Sequence, residues 1–416
     1  MSFKRVVITG IGAITPLGKD VPTFWSNLVA GVSGAAPITR FDAEKFRTRF
    51  ACEVKDYDVT EYIPRQEARK MDAFTQFAVI ATDEAMRDAG FDLEKLNPDK
   101  AGVIWGSGIG GLKTFEEEVI NFATGTGQPR FNPFFIPKMI ADSAAGVISI
   151  KYGLRGPTFI TVSACASSTN AIIDAYNYIR LGVIDVCVTG GSEAAVTQAG
   201  VGGFNALKAL SERNDSPETA SRPYDKDRDG FVLGEGGAAL ILESYEHAVA
   251  RGAKIYAEIV GMGLSSDAYH ITAPHPEGTG AYNVMKYALE SAGLAPSDID
   301  YINTHGTSTP LGDPQELLAI ERLFGEEAGK VNISSTKSMT GHLLGGAGAI
   351  ESVACIMAIR DGLIPPTINH FEDDPEINPS LNLTFNKAQQ REVKYALSNT
   401  FGFGGHNASV IFKKPE

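Results

Sequence analysis

At 416 residues, with 43% hydrophobic and 21% charged side chains, the chain is long enough for two domains and a large core, which excludes a disordered or fibrous protein. A net charge of −13 argues against nucleic acid as the main partner, because phosphate binding needs a basic surface. No stretch has the order of a signal peptide and no apolar run reaches spanning length, so a cytoplasmic protein without membrane insertion is expected.

In chain order, Val6–Gly10 reads as a strand, Met71–Ala89 has helical spacing, and Gly102–Trp105 reads as a second strand. Phe159–Val162 is a short strand of buried type, followed by a small-residue helix from about Ala166 to Leu181. Val186–Gly191 is one more strand closing on glycines. This alternation predicts a layered α/β fold.

The second part of the chain echoes the first. Val7-Ile8-Thr9-Gly10-Ile11-Gly12 resembles Glu258-Ile259-Val260-Gly261-Met262-Gly263, and Gly234–Leu242 resembles Gly402–Ile411. Between these markers, the strand, turn and helix around Cys165 have a counterpart in Val331–Lys337 and the helix after it. Two similar halves are expected, residues 1–252 and 253–416.

Two motifs are set aside on chemical grounds. Gly106-Ser107-Gly108-Ile109-Gly110-Gly111 fits the dinucleotide pattern, but Val119–Ala141 holds no acidic residue to bind a ribose. It is better read as a glycine-rich loop lining a substrate pocket. Asp225–Gly230 matches the first half of a calcium loop, yet the bidentate glutamate would fall on Gly236, with Glu235 one position early. A charged turn with local ion pairs is expected there.

Cys165 lies where a strand ends, small residues turn and a helix begins. A helix N-terminus favours thiolate over thiol, so the position suits a nucleophile, although a buried structural cysteine fits it equally. Cys52, Cys187 and Cys355 sit in apolar settings and read as structural. Among seven histidines, His305 and His342 stand out, each embedded in Gly, Ser and Thr at the ends of elements, with Lys337 five residues before the second. His247 reads as solvated surface, His275 and His370 as structural, and His270 as ambiguous. No metal is expected, because the His pair lacks the carboxylate or short His spacing that zinc sites use.

Four segments together carry a family resemblance: the turn around Cys165, Asn303–Asp313, Ser334–His342 and Asn399–Gly405. They resemble the β-ketoacyl-[acyl carrier protein] synthases, most closely the type II elongation enzymes, over essentially the whole chain. The resemblance implies a thiolase-like fold, a duplicated five-layered α-β-α-β-α architecture, and a homodimer. It implies that Cys165 takes an acyl group from acyl carrier protein as a thioester, in ping-pong fashion. His305 and His342 would stabilise the charge formed as malonyl carrier protein loses carbon dioxide, and backbone N–H groups of Cys165 and Phe403 would form the oxyanion hole.

By the same resemblance Phe403 gates the sulfur, Ile109, Phe204 and Phe403 line the acyl pocket, and Thr272, Thr307 and Thr309 lie near the pantetheine arm and malonyl group. Lys337 acts directly or as support, the latter with Glu351; support is preferred because a charged ammonium is a poor base. No cofactor is implied beyond the carrier's own phosphopantetheine. An acidic carrier protein would be repelled by a chain of this charge, so docking needs local positive residues, for which Arg65, Arg69, Lys70 and Lys208 are the candidates. A polyketide-type ketosynthase would share the same Cys-His-His machinery. A thiolase is disfavoured because His342 stands where that family uses a cysteine.

Overall fold

The computed structural model describes residues 3–416. The main sheet contains β1 (Val6–Ile14), β2 (Ala101–Gly106), β3 (Thr158–Thr161), β4 (Val186–Glu193), β5 (Gly236–Ser244), β6 (Ala257–Ser266), β7 (Tyr301–Asn303), β8 (Asn332–Ser334), β9 (Tyr395–Gly402) and β10 (His406–Lys413). The helices that matter here are α1 (Ala73–Ala89), α2 (Leu112–Thr124), α3 (Ser143–Tyr152), α4 (Ser167–Arg180), α5 (Gln198–Ala206), α6 (Thr279–Ala292), α7 (Gly312–Phe324) and α8 (Ala347–Asp361).

Strand order is β8-β7-β9-β10-β6-β1-β5-β4-β2-β3. Each side of the β6–β1 seam therefore repeats one plan: counted along its own stretch of chain, the strands lie third, second, fourth, fifth, first. Orientations repeat too. The three outermost strands of each half, β4–β2–β3 and β9–β7–β8, are parallel, while β5 and β10 run antiparallel to both of their neighbours.

The sequence echo has a steric cause. A Cβ on Gly10 or Gly12 would fall 2.3 Å or 2.0 Å from the carbonyl oxygens of Ala85 and Ala81 in α1. At Gly261 and Gly263 it would fall 2.5 Å and 2.0 Å from those of Ala288 and Val284 in α6. In both halves a helix rides directly on the backbone of the first strand, and only a residue without a side chain permits that approach.

Burial resolves the layers. One core packs α1 and α3 on the outer face of the first half, and another packs α6 and α7 on the outer face of the second. Between them, α4 and α8 share the largest core with both halves. Helix α8 is buried from Ala347 through Ile359, as expected of a helix enclosed on all sides rather than along one stripe. The expected five α-β-α-β-α layers are present, and no helix among the described residues is long and apolar enough to cross a membrane.

Two local readings change. His247 is not solvated surface: its Nδ1 lies 2.5 Å from Oε2 of Glu243, whose side chain is fully buried and also pairs with Arg251. A buried carboxylate at a strand end recruits whatever cations the following helix offers. The Asp225 turn is closed by Arg228, 2.5 Å from Asp374, while Asp225 Oδ2 accepts from the Phe371 and Glu372 N–H groups.

Candidate active site

Cys165 and the Lys337–His342 segment occupy equivalent connections, each running from the third strand of its half to a central helix. His305 follows β7, and Phe403 sits in the hairpin between β9 and β10. All of them leave the same ends of the strands, so the duplicated fold brings segments as far apart as Cys165 and Phe403 into one place.

The Cys165 turn is tight. Ala164 has φ +50°, a strained value for a residue with a side chain. Ser167 holds the turn, its Oγ accepting from the Ser163 N–H at 2.9 Å and donating to the Ala164 carbonyl at 2.7 Å. Gly402 packs against it so closely that a Cβ there would lie 2.7 Å from the Ser163 oxygen. This places the Phe403 N–H against the Cys165 sulfur.

His342 Nε2 is 3.0 Å from Cys165 Sγ, and its backbone is pinned by the Val232 carbonyl (2.7 Å) and the Gly234 N–H (3.0 Å). His305 meets His342 edge to face, with ring centroids 5.3 Å apart at 86°. One ligating atom from each of Cys165, His305 and His342 lies within 4.8 Å of the others. Neither Nδ1 has a hydrogen-bond partner among the described residues. An orphaned buried N–H is costlier than an orphaned lone pair, so each ring favours carrying its proton on Nε2, which on His342 is the nitrogen facing the sulfur.

Electrostatics corrects one expectation. Burial pushes the Cys165 thiol up to about 12, against the pull of the Lys337 charge and the Phe403 N–H. The helix N-terminus therefore does not make a resting thiolate; desolvation outweighs it. Both imidazoles are held well below their usual range, first by burial and then by the Lys337 charge. The resting site is a neutral thiol facing two neutral rings. Iodoacetamide should accordingly label Cys165 alone, because the other three cysteines are buried away from the cavity. The labelling rate should climb about tenfold per pH unit from pH 7 to 9 as thiolate forms; a plateau below pH 8 in a mass-resolved time course would show that the sulfur is already ionised.

Lys337 lies behind the rings. Its ammonium is buried and paired with Glu351, whose carboxyl burial raises to about 7 against the Lys337 charge. Neither residue lines the cavity.

The cavity measures about 690 Å³ and is lined by Cys165, His305, His342, Phe403, Ile109, Phe204, Thr272, Thr307, Thr309 and Lys208. Ile109, Phe204, Leu207 and Leu344 give it an apolar flank, and Thr307, Thr309 and exposed Thr272 line it elsewhere. Arg65 and Arg69 are elsewhere, in a surface groove of about 570 Å³ with Lys113 and Lys138. Exposed Lys70 is 2.9 Å from Glu67.

Four further residues shape the site. Phe231 packs edge-on to His342, and Phe401 packs on His305. Glu316 accepts from the His305 N–H (2.9 Å) and the Gly306 N–H (2.8 Å), and burial raises it to about 7. Glu193 accepts from the loop at Ser107–Ile109. The two acids had a readable signal: Glu193 is the one charged residue of its strand, and Glu316 falls on the apolar face of α7.

The chain matches the family model "Beta-ketoacyl synthase, N-terminal domain" over residues 3–248 and "Beta-ketoacyl synthase, C-terminal domain" over residues 256–371. It is 49% identical over 416 residues to 3-oxoacyl-[acyl-carrier-protein] synthase 2 of Staphylococcus aureus strain COL, with 99% of each chain covered. It is 50% identical over 411 residues to the Synechocystis enzyme of the same name, covering 99% of this chain and 98% of that one. Among solved structures, a beta-ketoacyl synthase from Burkholderia phymatum superposes with a TM-score of 0.92 at 37% identity, covering 99% of this chain and 100% of that one. The AntDE ketosynthase, solved with the type II polyketide acyl-carrier protein AntF, gives 0.90 at 33%, covering all of both chains. With the strand plan, the five layers and the Cys165-His305-His342 cluster already in hand, these matches over the full length show that the chain belongs to the β-ketoacyl synthase family.

Proposed function

We propose that the protein is a β-ketoacyl-[acyl carrier protein] synthase that extends fatty acyl chains by two carbons through decarboxylative condensation with malonyl carrier protein. The observation that carries this reading is the meeting of one sulfur and two neutral imidazoles in a cavity with an apolar flank. In the first half-reaction the Cys165 sulfur gives up its proton and attacks the acyl thioester while the His342 Nε2–H donates to it, the pantetheine sulfur leaves and takes up that proton as a thiol, and the acyl group stays on Cys165. N–H groups of Cys165 and Phe403 bind the oxyanion.

In the second, malonyl carrier protein enters. Ring N–H groups of His305 and His342 donate to its thioester oxygen as the bond to carbon dioxide breaks and its electrons form the enolate. The α-carbon attacks the acyl carbonyl, the Cys165–acyl bond breaks to give a thiolate that takes a proton from water and returns to the resting thiol, and the β-ketoacyl product leaves. Lys337 with Glu351 supports the rings electrostatically from behind. Phe403 gates the sulfur, and the consecutive left-handed Gly404 (φ +86°) and Gly405 (φ +76°) give its hairpin the geometry to do so. No cofactor is required, since both substrates arrive on phosphopantetheine.

The test is sequential. Incubation with acyl carrier protein thioesters should add one acyl mass to Cys165, and malonyl carrier protein should then release that mass as a product two carbons longer. Adduct formation without turnover on malonyl addition would sink the reading. A polyketide-type ketosynthase is a second reading supported by the AntDE likeness, but identity to the fatty acid enzymes is higher, 49–50% against 33%. Repeated extension with retained keto groups would mark that alternative.

The working form is a homodimer. Helix α2 and the chain after it expose Phe115, Val119, Ile120, Phe122, Phe131, Phe134, Ile136 and Ile140, with Phe131 and Phe135 stacked at 5.5 Å. An apolar surface of this extent marks an interface. A cytoplasmic setting fits four unpaired cysteines. For the carrier protein, Arg65 and Arg69 with neighbouring Lys113 and Lys138 form the basic groove, and Lys208 stands at the catalytic cavity. The Arg65→Glu/Arg69→Glu double variant should raise the carrier-substrate KM about tenfold with kcat near normal; an unchanged KM removes these residues from docking.

A further inference from the structure

The glycine loop that mimics a dinucleotide fingerprint does bind an anion, but the anion is the protein's own. Glu193, at the end of β4 and with no solvent exposure, has no cationic partner among the described residues. Its Oε2 accepts from the Gly108 N–H at 2.7 Å and the Gly345 N–H at 3.0 Å. Its Oε1 accepts from the Ile109 N–H at 3.2 Å and the Ser107 hydroxyl at 3.1 Å. Successive backbone N–H groups make a concavity of the kind that holds phosphate, and here a carboxylate fills it.

Three segments meet at that carboxylate with no room between them. A Cβ on Gly345 would fall 2.1 Å from the Gly108 nitrogen and 2.8 Å from Glu193 Oε2, and one on Gly108 would fall 2.9 Å from the same oxygen. Ile109, the residue after Gly108, is exposed and lines the cavity, as does Phe204. Leu344, the residue before Gly345, lines the same flank. His342 is anchored separately through Val232 and Gly234.

We propose that Glu193 is a positioning residue that fixes Ile109 and Leu344 against each other and so sets the width of the acyl channel, without acting on the decarboxylating histidines. This rests on the condensing-enzyme reading above. Burial raises the carboxyl only to about 6, the four donors opposing desolvation, so it is largely ionised at neutral pH. A glutamine would keep the volume but turn an N–H₂ group toward two donors. The loop would then have to move.

The experiment compares Glu193→Gln with the parent enzyme on acyl carrier protein substrates of four and fourteen carbons, with malonyl decarboxylation measured in parallel. Expected is about a tenfold loss of acyl-transfer kcat/KM for the long chain, little loss for the short one, and decarboxylation within about twofold. Equal losses on both chains and on decarboxylation, or no loss at all, overturn the proposal. If no acyl transfer or decarboxylation is seen in the parent, the functional reading has failed instead. Should Glu193→Gln not fold, Ser107→Ala removes one donor and decides: a smaller loss confined to the long chain supports the clamp, and any other pattern rejects it.

Discussion

Replacing Cys165 with alanine should reduce condensation by at least about 10⁴-fold while leaving malonyl decarboxylation running. Losing the nucleophile of a covalent mechanism removes the intermediate itself, and in comparable sites that costs about as much as losing the whole catalytic set. Decarboxylation needs no sulfur. It needs donors at the malonyl thioester oxygen, and His305 and His342 remain in the variant. His342 keeps its backbone anchors, and His305 keeps the Glu316 carboxylate on its N–H. Parallel assays of carbon dioxide release and product formation check this, and an equal collapse of both would show that the sulfur organises the malonyl site as well.

His305→Ala and His342→Ala should each slow decarboxylation by about 10²–10³-fold, corresponding to about 2.7–4 kcal/mol for one lost oxyanion donor. The rings share one developing charge across 5.3 Å, so the double variant should lose less than the product of the two single effects. Cys165 should still be acylated in the His305 variant, because of the two rings it is His342 that is hydrogen-bonded to the sulfur. His342→Ala should retain acylation at a reduced rate, since burial holds the thiol near 12 and the thiolate loses the Nε2–H that faces it. Intact-mass time courses separate the steps. Absence of any adduct in both variants would refute the division between acylation and decarboxylation.

The repeated strand pattern was legible in the residues because its cause is local. Gly10 and Gly12, and later Gly261 and Gly263, admit a helix onto bare backbone, and such a requirement leaves its mark at fixed positions. Cys165, His305 and His342 were legible for a related reason: each sits in a run of small residues at an element end, where displayed side chains need space.

Other features depended on distance in the chain. Glu193 and Glu316 gave only the faint signal of an acid in an apolar setting, because their partners lie at least 84 and 10 positions away. The glycine loop at Ser107–Ile109 reads from the sequence as pocket lining, since nothing local reveals that Glu193 fills it. The protonation state of Cys165 was misjudged on local grounds. A helix N-terminus can be read from a few residues, whereas the burial that outweighs it is contributed by both halves at once.

The sequence by itself determined the duplicated layered fold and singled out Cys165, His305 and His342, because spacing and small-residue context are properties of short segments. Only the tertiary structure decided the neutral resting charge of the site, the Lys337–Glu351 pair behind it and the carboxylate clamp beside it. Desolvation and long-range hydrogen bonding come into being when the two halves close on each other, and no single segment encodes them.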